Sequence, residues 1–148
     1  MLYQGLSSGA ELWRRYASSS ASIRYKLLAN VAINGMSALL ETKNGFVDAN
    51  PYAHEAARML VEEAIVVANA CGCTLEHDAE PAHAFEVARM TDKTISSMVQ
   101  DVTHHKETEI RIITGAVCRL GWAHHVPTPC NDLLLQLVLA KQSIYLGR

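Results

Sequence analysis

The stretch IRYKLLANVAINGMSALLE, from Ile23 to Glu41, decides how this chain folds, because almost every position outside one line of polar residues is apolar. A helix of this composition is buried on almost all sides. The polar residues share one arc of about 80° when positions are placed about 100° apart around the helix axis. These residues, named the polar line below, are Lys26, Asn30, Asn34 and Ser37. The pattern predicts a central buried helix whose single polar line faces something polar.

Helix start and stop residues recur along the rest of the chain, whereas alternating runs typical of strands are hard to find. Asn50 can cap a helix that begins at Pro51, and Gly72 lies where a left-handed residue would end it. The pair Asn44-Gly45 is typical of a turn that ends the central helix. Further helices are predicted over residues 10–17, from Pro81, after Thr108 and from Thr128-Pro129. The pattern therefore predicts an all-α, compact bundle of six or seven helices.

Length and composition restrict the class of protein. A chain of 148 residues with 49% hydrophobic and 19% charged residues is typical of one soluble globular domain. The 13 basic and 15 acidic residues leave a net charge of -2, which gives no electrostatic support to nucleic-acid binding. No signal peptide is apparent, and no apolar run approaches the roughly 20 residues of a membrane span. We expect a cytoplasmic protein with no membrane partner.

Cysteine and histidine spacing does not favour a metal site. The four cysteines, at positions 71, 73, 118 and 130, lack the C-x-x-C spacing of redox and zinc sites. The histidine pairs 104–105 and 124–125 are adjacent, so on a helix their side chains point about 100° apart and cannot easily share one ion. We expect free thiols and no bound metal.

Two interpretations of the polar line remain open from the pattern alone. In the first, Lys26 is a proton donor, and Asn30 and Asn34, one and two turns further on, orient a small oxygen-rich ligand. In the second, Lys26 reaches the surface while the asparagines satisfy neighbouring helix ends or backbone groups.

Three separated motifs favour the first interpretation. They are KLLANVAIN (26–34) with Asn44-Gly45, then SSMVQD (96–101) with KETEI (106–110), and VPTPCN (126–131). The first resembles the K-x-x-x-N-x-x-x-N…N-G run of the ketopantoate reductase family (2-dehydropantoate 2-reductase, ApbA/PanE). The second is similar to its S-S-M-x-Q-D…R-x-T-E-I-D segment, and the third to its late loop. The chain is identified as resembling that family's C-terminal domain.

The resemblance implies a fold and a set of roles. The fold would be like the C-terminal domain of 6-phosphogluconate dehydrogenase-like reductases. Lys26 would be the general acid that protonates the keto oxygen while NADPH delivers hydride. Glu109 would contact the substrate or the ribose on the nicotinamide side, and would support the lysine charge. The substrate-binding residues implied are Asn30, Asn34, Asn44 and Ser97.

The same resemblance implies what is missing. Residues 1–148 would form the substrate-binding helical domain, with the N-terminal Rossmann domain absent, because no G-x-G-x-x-G follows a strand here. NADPH would be bound mainly by that missing domain, so we expect the isolated chain to be inactive or nearly so. The implied enzyme converts ketopantoate to pantoate in pantothenate and coenzyme A biosynthesis. The implied partners are a small 2-keto acid, the Rossmann domain and a second copy of the chain.

Several positions depart from the family pattern. The departures are Gly35 for proline, Thr94 for asparagine, Lys106 for arginine, Arg111 for aspartate and Thr114 for asparagine. They leave two alternatives to ketopantoate reduction. One is a reductase that acts on another 2-keto acid, and the other is a non-catalytic helical module that binds a partner or a metabolite.

Overall fold

The computed structural model of the protein describes Arg15, residues 19–76 and residues 79–148. Within these residues the chain forms seven helices and no strand, which confirms the predicted all-α bundle. The helices are α1 (Ala21–Leu40), α2 (Asn44–Ala49), α3 (Pro51–Ala70), α4 (Ala79–Met90), α5 (Ser97–Thr103), α6 (Ile110–Ala123) and α7 (Pro129–Leu146). Apart from Arg15, the helix predicted over residues 10–17 lies outside the described residues.

Helix α1 is the centre of the bundle and packs against all six other helices. Its apolar residues from Leu28 to Ala38 are fully or largely enclosed, as the sequence predicts. The helix begins two residues before the predicted Ile23 and ends at Leu40, where Glu41 takes a left-handed φ of 52°. Lys141 of α7 closes this end by donating to the Leu39 carbonyl at 2.8 Å.

The turn predicted at Asn44-Gly45 is wrong, because these residues begin helix α2. The amide of Asn44 donates to the Thr94 carbonyl at 3.0 Å, and the amide of Gly45 donates to the Asp92 carbonyl at 3.2 Å. The first amides of a helix have no partner inside it. Here the distant loop between α4 and α5 supplies the acceptors, so the sequence near residue 44 carries no cap signal.

Helices α3 and α7 begin where the sequence predicts. The Asn50 side chain accepts from the amides of Tyr52 and Ala53 at 3.1 and 3.0 Å, and Pro51 is the first helical residue. Gly72 follows the end of α3 with a φ of +93°, a conformation that favours glycine. At α7, Thr128 precedes the first residue, as predicted.

The beginnings of α4 and α5 differ from the prediction. Helix α4 begins at Ala79, so that Pro81 lies within its first turn, where the missing amide costs no hydrogen bond. Helix α5 was not predicted, and it is only seven residues long. Ser96 caps it by accepting from the Val99 amide at 3.2 Å.

None of the helices in the described part of the chain is both long and apolar enough to cross a bilayer. None of the four cysteines forms a disulfide bond. Cys71 and Cys73 are buried, whereas Cys118 and Cys130 are half-buried. No three His, Cys, Asp or Glu side chains of residues 15, 19–76 and 79–148 converge to form a metal-binding group.

Candidate active site

The polar line of α1 runs from solvent into the core. Lys26 is exposed and Asn30 is half-buried, while Asn34 is 8% exposed and Ser37 is completely buried. The expectation that the whole line is buried is therefore wrong at Lys26. The line spans about 16 Å, at about 1.5 Å of helix rise per residue. The Lys26 amine therefore lies at the solvent end of the line, and the Ser37 hydroxyl group lies at its enclosed end.

The polar side-chain groups of Lys26, Asn30 and Asn34 have no partner among the described residues. Lys26 forms no ion pair there, and neither Asn30 nor Asn34 forms a side-chain hydrogen bond. The exposure of Lys26 agrees with the second interpretation of the sequence, whereas the asparagine side chains do not satisfy neighbouring helix ends as that interpretation required. A carboxamide carries two N–H donors and an acceptor oxygen, so both remain available to a ligand.

Ser97 and Glu109 are the first residue of α5 and the residue that precedes α6. Both are exposed, and the side chain of neither forms a hydrogen bond with the described residues. Glu109 lies at the N-cap position without using its carboxylate as a cap. Its two oxygens are therefore free to accept hydrogen bonds from a bound molecule.

Tertiary contacts bring the neighbours of Ser97 and Glu109 against one turn of α1. Ser96, which precedes Ser97, lies with its Oγ 3.0 Å from the Oγ of Ser37. Ile110, which follows Glu109, packs on Gly35, where an added Cβ would lie 3.2 Å from the Ile110 Cδ1. The beginnings of α5 and α6 thus meet α1 at the turn that carries Asn34.

Asn44 differs from the other predicted site residues, because its side chain is engaged inside the protein. It is buried, and its Nδ2 donates to the Thr91 Oγ1 at 3.1 Å. Its Oδ1 is enclosed without a partner. Together with the bond from its own amide to Thr94, this arrangement ties the start of α2 to the loop that leads to Ser97. The structure therefore places Asn44 behind this loop, and not on the polar line.

The structure shows the surroundings of three departures from the family pattern. A Cβ on Gly35 would lie 2.6 Å from the Cδ2 of Leu134, so the glycine permits close packing of α7 on α1. Thr114, in contrast, is buried in α6 with its hydroxyl oxygen unpaired among the described residues. The exposed Thr94 holds Asn44 only through its main chain.

Sequence reasoning gave no role to Ser96 and left the role of Ser37 open. Their pairing joins residues 59 positions apart, so neither local spacing nor helical periodicity could reveal it. The sequence does contain one local indication for Ser96: it precedes a short apolar run, as is typical of a helix cap.

The half-buried thiols are poor nucleophiles. Burial raises the pKa of Cys118 to about 12, and a hydrogen bond with Asp132 acts in the same direction. Burial also raises the pKa of Cys130, to about 11, assisted by the carboxylate of Glu63. Since the thiolate is the reactive form, neither of these two thiols is activated as a nucleophile at neutral pH.

Comparison with known proteins identifies a family. The model of the family "Ketopantoate reductase PanE/ApbA C terminal" matches residues 20–142. The 2-dehydropantoate 2-reductase of Pyrobaculum aerophilum is 38% identical over 119 residues, which cover 80% of this chain and 42% of that protein. The corresponding enzyme of Archaeoglobus fulgidus is 36% identical over 118 residues, or 80% of this chain and 39% of that protein.

Solved structures agree with this result. The ternary structure of D-mandelate dehydrogenase with NADH and anilino(oxo)acetate has a TM-score of 0.78 at 30% identity, covering 84% of this chain and 69% of that one. A PanE/ApbA family ketopantoate reductase from Ralstonia eutropha JMP134 has a TM-score of 0.77 at 28% identity, covering 84% and 42%. A dimeric ketopantoate reductase from Staphylococcus aureus has a TM-score of 0.68 at 25% identity, covering 84% and 43%.

The chain spans about two fifths of the length of the curated relatives it matches, namely 42% and 39% of the two above. The family model matches residues 20–142, and the seven helices of this chain run from Ala21 to Leu146. The match therefore covers almost the whole helical bundle. The chain therefore belongs to the PanE/ApbA ketopantoate reductase family and corresponds to its C-terminal domain.

Proposed function

We propose that this chain is the substrate-binding, proton-donating half of an NADPH-dependent 2-dehydropantoate 2-reductase, which reduces ketopantoate to pantoate in pantothenate and coenzyme A biosynthesis. One observation carries the proposal. The polar groups of Lys26, Asn30 and Asn34 lie along one line of α1 without protein partners among the described residues. Polar groups that have left bulk water are normally paired, so the unpaired carboxamides of the half-buried Asn30 and the buried Asn34, with the exposed amine of Lys26 beside them, are suited to binding a small polar ligand.

In this proposal each side chain has a role that follows from its chemistry. The Lys26 ammonium group donates a proton to the keto oxygen as the carbonyl carbon is reduced. The carboxamides of Asn30 and Asn34 donate to the carboxylate and accept from the hydroxyl group of the substrate. Ser97 supplies a further hydroxyl group. Asn44 acts indirectly, by holding the loop that carries Ser97.

NADPH supplies the hydride when it is bound. The described residues suit only one end of this cofactor, because the free carboxylate of Glu109 can accept from a ribose hydroxyl group. The phosphates would need amide-rich or cationic groups of the kind that a glycine-rich loop offers. We assign that role to a Rossmann domain that acts as the partner of this chain.

The proposal is tested by titrating ketopantoate into the 148-residue chain by calorimetry. We expect measurable heat for the wild type and a loss of affinity of about tenfold or more for Lys26→Ala, because a charged hydrogen-bond donor is removed. Lys43→Ala is the matched control, since Lys43 is also exposed but follows the opposite end of α1. Absence of binding by the wild type, or equal affinities for both variants, would contradict the proposal.

A different 2-keto acid is the second candidate substrate. The similarity to D-mandelate dehydrogenase, at 30% identity, favours an aromatic 2-keto acid such as phenylglyoxylate. Titrating phenylglyoxylate beside ketopantoate distinguishes the two. If neither binds, the departures at Thr94 and Arg111 favour the non-catalytic module instead.

We also propose that the chain forms a homodimer, as the S. aureus relative does. An apolar groove of about 340 Å³ lies between α1, α3 and α7. It is lined by Met36, Leu39, Ala56, Met59, Leu60, Cys130, Leu133, Leu134 and Leu137. On α1, the lining residues lie about 100° or more from the centre of the polar line, so a partner in the groove leaves the site open.

The dimer proposal is tested by sedimentation. Leu133 is 61% exposed at the groove, and we expect Leu133→Asp to shift the chain from dimer to monomer, because a buried charge opposes association. Ile144→Asp is the control, since Ile144 is exposed on the same helix outside the groove. A wild type that stays monomeric at high concentration would contradict the dimer.

A further inference from the structure

We infer that Ser37 and Ser96 are positioning residues, whose buried hydroxyl groups hold the start of α5 against the turn of α1 that carries Asn34. The inference deepens the proposed function, because it rests on that turn being part of the 2-keto acid site. We call the pair the serine relay. Neither serine contacts the substrate in this proposal, and both act through Ser97 and Asn34.

The relay has a defined direction. The Ser37 Oγ donates to the Asn34 carbonyl at 3.2 Å, so its single proton is used. The Ser96 Oγ, 3.0 Å away, must then donate to the Ser37 Oγ. The Val99 amide in turn donates to the Ser96 Oγ at 3.2 Å. Three donors and three acceptors thus connect the first turn of α5 to the main chain of Asn34.

The two serine hydroxyl groups are enclosed, so we expect no water molecule to take the place of a lost hydrogen-bond partner. Ser37 is 0% exposed and Ser96 is 7% exposed, so a lost partner leaves a buried polar atom unsatisfied. An apolar pair would fill the same space without this risk. The hydroxyl groups are therefore suited to fixing the register between two helices, a task that needs directional bonds.

Helix α5 depends on such an anchor. It has only seven residues, and a helix of that length is not stable by itself. Ser97 is its first residue, and its side chain forms no bond with the described protein that could hold it in place. The position of the Ser97 hydroxyl group is therefore set by its main chain, which the relay ties to α1.

The test uses the 148-residue chain and Ser37→Ala. The substitution removes both the donor to Asn34 and the acceptor for Ser96. We expect the ketopantoate dissociation constant to rise about three- to tenfold, because binding must then order the start of α5 that the lost hydrogen bonds held in place. Ser37→Thr keeps the hydroxyl group and should restore the affinity to within about twofold of wild type.

Amide hydrogen exchange gives a second readout that needs no ligand. We expect the Val99 and Gln100 amides, which donate to the Oγ and the carbonyl of Ser96, to exchange faster in Ser37→Ala, with no comparable change at the far end of α3. Val67→Ala is the control, because Val67 is fully buried on α3 and its truncation lowers stability away from the relay. The double variant Ser37→Ala/Ser96→Ala should lose little more affinity than either single variant if the pair acts as a unit.

The outcomes separate this inference from the proposed function. If the wild type binds ketopantoate but Ser37→Ala changes neither the affinity nor the Val99 exchange, the relay is overturned. If Val67→Ala weakens binding as much as Ser37→Ala does, the effect is one of general stability and the relay is again overturned. If the wild type does not bind ketopantoate, the proposed function fails, and the exchange of the Val99 and Gln100 amides alone decides the relay.

Discussion

At the scale of single residues, the loop that leads to Ser97 is positioned by a close contact between Gly45 and Asp92. Gly45 lies so near Asp92 that an added Cβ would be 2.7 Å from its Cβ and 2.9 Å from its Cα. Asp92 belongs to the loop that also binds Asn44 through Thr94. Glycine is required at position 45 because that main chain cannot move away without disturbing the loop that leads to Ser97.

We expect Gly45→Ala to lower the free energy of unfolding by about 1–3 kcal/mol, because the new methyl group meets main-chain atoms. Urea denaturation measures the change. Gly115→Ala is the matched control, since the nearest atom there is the Arg119 Nη1 at 3.1 Å, the end of a flexible side chain. There the higher helix propensity of alanine should offset the contact, leaving stability equal or up to about 1 kcal/mol higher. Equal losses for both variants would contradict this interpretation.

The thiols provide a pH-dependent prediction. The pKa of Cys130 is raised to about 11 and that of Cys118 to about 12, so both stay protonated at pH 8. We expect iodoacetamide to modify them at least about tenfold more slowly in the folded chain than in urea, with the rate rising as the pH approaches 11. Peptide mass spectrometry measures each site. Fast modification of Cys130 at pH 8 would show that burial does not protect its thiol.

At the scale of helices, the first amides of α7 are satisfied by a carboxylate from α3. Glu63 accepts from the amides of Cys130 and Asn131 at 2.8 and 3.0 Å, and from the Asn131 side chain at 2.8 Å. Thr128, the residue before α7, forms no side-chain bond to the helix main chain. A negative charge at a helix N-terminus is also favoured by the helix dipole. Glu63 is therefore the cap of α7, supplied across the bundle.

We expect Glu63→Ala to destabilise the chain by about 1–3 kcal/mol, because it leaves the Cys130 and Asn131 amides and one of the two N–H groups of the Asn131 side chain without an acceptor, while the Leu60 carbonyl still accepts from that side chain. Thermal or urea unfolding measures the loss, and amide exchange should locate it in the first turn of α7. Glu62→Ala is the control, because Glu62 pairs only with Arg58 at the surface and should contribute at most about 0.5 kcal/mol. Similar losses for the two variants would contradict the capping role.

At the scale of the whole molecule, the polar line is open at the end that carries Lys26. Hydride transfer requires the cofactor and the keto carbon to be held at reactive distance, and this needs a second surface facing the line. The apolar groove lies on another side of α1, so self-association through it does not close the site. In our proposal a Rossmann domain supplies that surface.

We therefore expect no NADPH oxidation above background when the 148-residue chain is mixed with NADPH and ketopantoate. The physical reason is that binding of the keto acid alone does not place a hydride donor near the carbonyl carbon. Absorbance of NADPH measures the rate. Turnover that Lys26→Ala abolishes would show that this chain is sufficient for catalysis, and would overturn the expectation.

The sequence by itself determined the all-α class, the central helix α1 and the starts of α3 and α7. These features follow from apolar periodicity and from caps that lie within a few residues, such as Asn50-Pro51. The motifs around Lys26, Ser97 and Glu109 also predicted the family before the fold was known. Local chemistry and recurring spacing are properties that a linear sequence carries directly.

The tertiary structure alone decided that Asn44 begins a helix, that Lys26 is exposed, and that Ser37 pairs with Ser96. For Asn44 and Ser37 the deciding partner lies far away in the chain: the loop between α4 and α5 satisfies the first amides of α2, and Ser96 at the start of α5 pairs with Ser37. Exposure along α1 depends on which helices cover each turn. Helical periodicity defines the face on which a residue lies, but only packing defines whether that face is covered.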